Sequence, residues 1–337
     1  MDNITHSLTG ALTARFIESR PTQPEEKNTL RRTFFWLFVL AANLPDIDIL
    51  VGLTGDPVLS IRYHRGITHS MLFAPVLALV PALLFRFFTR IDNIRLLWVI
   101  SLLGIFLHIF FDLVTGFGTR VLLPLSETRY ALDWFFIIDP LFTLLLAAFL
   151  LAGRWLPERR SLIASMSIAF VVLYVLVAAF NHGVAAIRVS EAAHKEGVTW
   201  TRISALPQPL SLFRWQGLVQ TDTAVLQTFF SLFDDGVPTF RRYEQGHDAH
   251  VERAMKESHM SWYIPLARHP WVQSFEENGL HVVEYQDLMF SIDESLIRSL
   301  GFSERFAPFS LRYSYAPDGT LVGVLFDGEP IDHSVRD

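Results

Sequence analysis

Cysteine is absent from the 337 residues, and charge is scarce: Asp, Glu, Lys and Arg make up only 18% of the chain. The first absence excludes a disulfide-stapled scaffold and any thiolate metal site, and it is compatible with an oxidising compartment. The second falls below the roughly one quarter that soluble chains of ordinary composition carry. Neither half of the chain has the basic footprint that nucleic-acid binding needs. Glycine and proline are ordinary at 18 and 17, so a collagen-like chain is also out. Apolar residues fill the gap at 51%, with 29 phenylalanines and a mean hydropathy of +0.32. Such a chain can bury enough apolar surface to order, so general disorder is excluded.

The apolar residues are concentrated in the first half. Ser161–Ile187 runs 27 residues without Asp, Glu, Lys or Arg, Gly66–Phe85 runs 20 and Leu96–Phe111 runs 16. Pro140–Gly153 and Thr33–Pro45 give shorter runs of 14 and 13, and Ile4–Ile17 is moderately apolar. A spanning helix takes roughly 20 mostly apolar residues. Five to six transmembrane helices are therefore expected, the shorter ones with polar ends at the interface or inside the bundle. Ten basic residues sit in three alternate connections: Arg20, Lys27, Arg31 and Arg32; Arg86, Arg90 and Arg95; Arg154, Arg159 and Arg160. The other connections hold only Arg62, Arg65, Arg120 and Arg129. The positive-inside rule then places the ten in the cytoplasm, and the N-terminus and everything after Asn181 outside the inner membrane of a bacterium. Trp36, Trp98, Trp134 and Trp155 lie near span ends, where aromatic-belt anchoring accounts for them.

Charge changes with position as well. Residues 1–182 carry a net charge of +2 and residues 183–337 one of −8, which points to two regions in different environments. The expected organisation is a transmembrane helical domain over 1–187, followed by an extracytoplasmic soluble α/β domain over 188–337. Within the latter, Ala224–Phe233 and His250–Met260 read as helical. Gly279–Ile292 and Phe309–Phe326 read as strands, with Asp318-Gly319 as a hairpin turn. His247, Asp248 and His250 superficially resemble a metal pair but lack the Glu of a zincin motif, so a solvated loop or helix face is preferred.

The chemistry-bearing residues lie at the ends of the expected spans. His6 opens the first. Asp46 and Asp48 end the second in Leu44-Pro45-Asp46-Ile47-Asp48. His64, Arg65 and His69 open the third, and His108 and Asp112 end the fourth. Asp139 opens the fifth. Apolar runs and basic connections define this topology without these residues, yet it puts all of them at the outer face. His108 and Asp112 stand at i, i+4 and share one helix face. Imidazoles with carboxylates suit Zn²⁺, Mn²⁺ or Fe²⁺ with a position left for water, and charged groups in apolar spans tend to be functional or paired. Plainer roles stand beside this one. A lone interfacial histidine is usually just hydrogen-bonded, Asp46 or Asp139 can cap a turn or helix, and Arg65 can simply pair with Asp46 or Asp48.

Taken together, Met1-Asp2-Asn3-Ile4-Thr5-His6, Leu-Pro-Asp-Ile-Asp at 44–48, His-Arg-Gly-Ile-Thr-His-Ser at 64–70, His108 to Asp112 with Thr115 and Gly116, and Asp133-Trp134 through Asp139-Pro140 resemble the YdjM family. Its members are predicted membrane-bound metal-dependent hydrolases, some of them LexA-regulated. The resemblance covers roughly residues 1–180. It implies a metal site built from His6, Asp46, Asp48, His64, His69, His108 and Asp112.

The function expected from this is hydrolysis of an ester or phosphoester in a lipid or lipid-linked substrate at the outer face of the inner membrane, with a divalent ion, zinc first, as cofactor. His6, His69, His108 and Asp112 are expected as ligands. Asp46 and Asp48 would serve as ligand and general base in some order, His64 as ligand or proton carrier, and Arg65 as the group that meets an anionic oxygen. Two non-enzymatic rivals remain: an ion or proton transporter using the same His/Asp set, and an envelope anchor for the C-terminal domain.

Overall fold

A computed structural model describes residues 1–18, 27–54, 57–89, 91–299 and 309–331. Arg20 and Arg90 of the basic connections lie outside the described residues. The chain divides into two compact units.

The first unit comprises Met1–Thr54, Tyr63–Phe180 and Pro209–Leu212. Its elements are α1 (Asn3–Glu18), α2 (Lys27–Ala41), a 3-10 helix over Leu44–Thr54, the end of α3 (Pro57–Tyr63), a 3-10 turn at Ile67–His69, α4 (Ala74–Leu77), α5 (Leu79–Thr89), α6 (Ile94–Leu113), α7 (Pro140–Trp155) and the first part of α8 (Arg160–Lys195). Among the described residues, two helices are long and apolar enough to cross a membrane: α6, and the segment Pro157–Lys195 that contains α8. The number rises to four if each of two bent pairs is one span, namely Arg31–Ala41 with Leu44–Leu53 and Val58–His69 with Ala74–Thr89.

This corrects the expected five to six. The apolar runs around 33–45 and 66–85 are interrupted by bends, the first of 48°. At 16 residues, α1 and α7 fall short of the roughly 20 that straight spans need. Pro45 therefore does not end a long helix, because α2 already stops at Ala41. Asn43 holds that break, donating from its side-chain amide to the Val39 carbonyl at 2.7 Å and to Ser7 Oγ at 3.0 Å.

Helix α6 shows how the sequence selects its buried face. Leu97, Ile100, Ser101, Gly104, Ile105, His108, Ile109 and Asp112 recur at three- and four-residue steps and are all buried. Val99, Leu103, Phe106 and Phe110 point outward. The stripe that packs α6 is thus the stripe that carries His108 and Asp112. Close packing depends on glycine here: a Cβ on Gly104 would stand 2.8 Å from Ala41 Cβ on α2. Small residues allow helices in lipid to approach this closely. Gly104→Val is expected to cost about 1–3 kcal/mol through overpacking and to lower the thermal midpoint of the purified chain. Gly183→Ala, where nothing stands within 4 Å of the new Cβ, is the matched control.

Asp139 caps α7. Its side chain accepts from Phe142 N at 3.1 Å and from the Tyr174 hydroxyl at 2.6 Å. Tyr174 lies in an apolar cluster with Leu12, Phe111, Phe135 and Phe142.

The second unit comprises Gly55–Arg62, Asn181–Gln208 and Phe213–Asp337. It contains two antiparallel sheets. One has four strands in sequential order: β1 (Arg202–Pro207), β2 (Arg214–Gln220), β3 (Ala224–Ser231) and β4 (Arg241–Glu244). The other has five: β5 (Pro270–Glu277), β6 (Leu280–Asp287), β7 (Ser310–Tyr315), β8 (Leu321–Phe326) and β9 (Glu329–Pro330). Short helices α9 (Ala249–Ala254) and α10 (Met260–Leu266) lie between β4 and β5 in the chain, and α11 (Glu294–Ser299) lies between β6 and β7. The segment read as helical at 224–233 is strand β3, whose successive residues Ala224–Thr228 are all buried. The turn at Asp318-Gly319 does join β7 to β8, with Ala316 and Thr320 hydrogen-bonded across it at 2.8 Å. Asp248 accepts from the backbone N–H groups of His250 and Val251 and caps α9.

Candidate metal centre

The breaks in the helices, rather than their middles, position the polar groups. The 3-10 helix after α2 carries Asp46 and Asp48, the turn before α4 carries His69, and the last turns of α6 carry His108 and Asp112. A ligand-type atom from each of Asp46, His69, His108 and Asp112 lies within 4.8 Å of the other three, and all four residues are buried. His69 Nε2 stands 3.3 Å from Asp46 Oδ1 and 3.1 Å from Asp112 Oδ2. His108 Nε2 is 3.5 Å from the same two oxygens.

The protons identify the facing atoms. His108 Nδ1 lies 2.7 Å from the Ala42 carbonyl, an acceptor, so Nδ1 carries a hydrogen and Nε2 is the nitrogen turned to the cluster. That Nε2 is 3.0 Å from His69 Nε2. On the far side of His69, Nδ1 faces Asp48 Oδ2 at 3.3 Å and Thr68 Oγ1 at 3.0 Å. Each imidazole therefore has its outer nitrogen held by an acceptor and its inner nitrogen turned into the cluster. Metal-ligating histidines are oriented in the same way. Asp112 Oδ2 is buried without a hydrogen bond. Two imidazoles, two carboxylates and no thiolate suit Zn²⁺, Mn²⁺ or Fe²⁺, so the residues present fit a bound divalent ion.

The other expected site residues surround this group. Asp48 and His64 form a second triad with Asp46, again with ligand atoms within 4.8 Å of one another. His64 Nδ1 is 3.1 Å from Asp48 Oδ1. Asp48 Oδ2 is heavily engaged, accepting from Arg65 N at 3.0 Å and Thr68 Oγ1 at 3.0 Å as well as facing His69. His6 stacks on His108 with ring centroids 3.8 Å apart, and its Nε2 lies 3.3 Å from Asp112 Oδ1 without aligning as a hydrogen bond. The Met1 amine contacts the same oxygen.

Arg65 is 3% exposed, and its guanidinium points inward. One nitrogen is 2.9 Å from Asp112 Oδ1, and another donates to Thr115 Oγ1 at 2.9 Å and to the Asp112 carbonyl at 3.3 Å. In this geometry it holds Asp112 in place. Arg129, which sequence reasoning counted only among the loop charges, donates to the His64 carbonyl at 3.2 Å and so stands beside the cluster.

A helical region with two to four candidate spans, holding a buried Asp/His group that could bind a metal ion, defines the class: a membrane protein with a candidate metal centre. A family model described as "YdjM inner membrane protein" matches residues 1–185, more than half of the chain, and the chain belongs to that family. Two relatives match in part. "Uncharacterized protein YfhP" of Bacillus subtilis (strain 168) is 38% identical over 99 residues, 28% of this chain and 29% of YfhP. "Inner membrane protein YbcI" of Escherichia coli (strain K12) is 34% identical over 98 residues, 28% of this chain and 56% of YbcI. The matched stretch thus spans between under a third and just over half of these relatives' own length. No solved structure matches.

Proposed function

We propose that the chain is a metal-dependent hydrolase of the inner membrane, acting on an ester or phosphoester of a lipid or lipid-linked substrate. Asp46, His69, His108 and Asp112 would hold the ion, with zinc the first choice and manganese or iron as alternatives. A divalent ion there supplies a Lewis acid that brings the pKa of water towards ~7. Asp48 and His64, joined at 3.1 Å, are the residues suited to accept and pass a proton, because His64 is the most accessible member of the set at 27% of its side chain. The multi-pass topology belongs to the same proposal, as does the outward orientation of the cluster and of residues 188–337 derived from the basic connections.

The observation that carries this reading is the pair of inward Nε2 atoms 3.0 Å apart beside two carboxylate oxygens, with His108 held from behind by a backbone carbonyl. Two ring nitrogens brought that close need a cation or a proton between them. Metal analysis of the full chain purified without chelator tests the site, and a panel of phospholipids, lipid-linked phosphates and neutral lipid esters tests the reaction. We expect at least one transition-metal ion per chain and metal-dependent release of one product class. Stoichiometric metal without turnover of any ester would leave a binding or transport protein and remove the hydrolase.

A further inference from the structure

The segment between α6 and α7 brings further arginines to the cluster. Thr119 and Tyr130 pair antiparallel through two backbone hydrogen bonds of 2.9 and 3.0 Å, closing the loop. Arg120 N donates to the Arg65 carbonyl at 3.3 Å, and an Arg120 guanidinium nitrogen lies 3.4 Å from where a Gly66 Cβ would stand. Arg129 donates to the His64 carbonyl at 3.2 Å and to the Gly118 carbonyl at 3.3 Å. Phe117 sits between two guanidiniums, with Arg65 at 5.2 Å and Arg129 at 5.6 Å from its ring centroid. Gly118 makes the arrangement feasible. It has φ +85°, and a Cβ there would meet Arg129 Cβ at 3.0 Å.

Three like charges are thus collected beside three aspartates. Arg65 is consumed internally by Asp112. Among the described residues no carboxylate oxygen lies within ion-pairing distance of Arg129. Its two hydrogen bonds go to neutral carbonyls, which leaves most of its five donors for another partner. Arg129 also stands on the side of His64, the accessible member of the cluster.

We propose that Arg129, supported by Arg120, receives a phosphate group of the ligand that approaches the Asp/His cluster past His64, so that this site takes phosphate-bearing molecules. This deepens the hydrolase reading and rests on it for the position of the bond to be broken. A planar fork fits phosphate oxygens in pairs, whereas a neutral ester presents no such group.

The test is titration of the full chain in a phosphate-free maltoside detergent with three probes: inorganic phosphate, dihexanoyl phosphatidic acid and dihexanoyl glycerol. Wild type is expected to bind one or both phosphate probes and not the phosphate-free glycerol. Binding of both marks the phosphate itself as the determinant; binding of the lipid alone marks a headgroup, and of the ion alone a soluble ligand. Arg129→Gln should weaken binding at least tenfold, with Arg129→Lys in between, while metal content stays at the wild-type level in both. The proposal is overturned if wild type binds neither phosphate probe, or if Arg129→Gln binds as wild type does. The hydrolase reading fails separately: Arg129-dependent binding without turnover of any ester removes the reaction and keeps the phosphate site.

Discussion

Asp112→Asn and His69→Ala are each expected to lower affinity for divalent metal by more than about 100-fold, and to remove metal-dependent turnover with it. The scale follows from comparison with outer partners of metal ligands, whose loss typically costs 10–100-fold; removal of a direct donor should exceed that. Asp112 occupies the centre of the arrangement. Its Oδ2 faces His69 Nε2 at 3.1 Å and its Oδ1 faces Arg65 at 2.9 Å. Asparagine is preferred to alanine here, because its amide oxygen can still accept a hydrogen bond from the Arg65 guanidinium that Asp112 Oδ1 faces at 2.9 Å, whereas truncation would leave those donors without any acceptor. The measurement is metal content after equilibration in a metal buffer, with thermal unfolding recorded alongside. Gly183→Ala, far from any close neighbour, should match wild type. If His69→Ala keeps stoichiometric metal at wild-type affinity, the four-residue cluster is not the metal centre.

Much of this site is written in local sequence, since polar residues inside long apolar runs stand out. His6, Asp46, His69, His108 and Asp112 were identifiable because hydrocarbon makes such groups expensive unless they are satisfied together. The individual roles were not legible. Arg65 precedes a glycine in a motif that invites substrate binding, yet only the fold reveals that its guanidinium turns inward to Asp112. Arg129 lay in a loop with no apolar background to set it off, and the antiparallel closure at Thr119 and Tyr130 that carries it to His64 has no strong signal. The span count failed for a related reason. Hydropathy measures composition along the chain and is blind to a bend, so the run ending at Pro45 and the run containing Ser70 each read as one straight helix. In the C-terminal unit, Gly279–Ile292 and Phe309–Phe326 were recognisable as strands. Ala224–Phe233 was not, because a strand buried on both faces loses the alternation that distinguishes it from a helix.

Asp48 offers the sharpest separation between a ligand and the group that steadies one. Its Oδ2 collects Arg65 N, Thr68 Oγ1 and His69 Nδ1, all within 3.0–3.3 Å, while Oδ1 meets His64. A carboxylate so placed fixes the tautomer of His69 and turns its Nε2 towards Asp46 and Asp112. Asp48→Asn keeps the shape and can still accept one hydrogen bond, but it removes the charge that favours a proton on His69 Nδ1. The expected result is a 10–100-fold loss of metal affinity, smaller than that of His69→Ala, with unchanged stoichiometry at saturating metal. Asp48→Ala should lose more, since the Arg65 N–H and the Thr68 hydroxyl would be left without their acceptor at about 1–3 kcal/mol each where buried. The double variant Asp48→Asn with His69→Ala decides the mechanism. If Asp48 acts through His69, Asp48→Asn adds little once His69→Ala is in place, because the ring it orients is gone. Full additivity of the two losses would instead make Asp48 a donor in its own right, shared with Asp46 and His64 in the second triad.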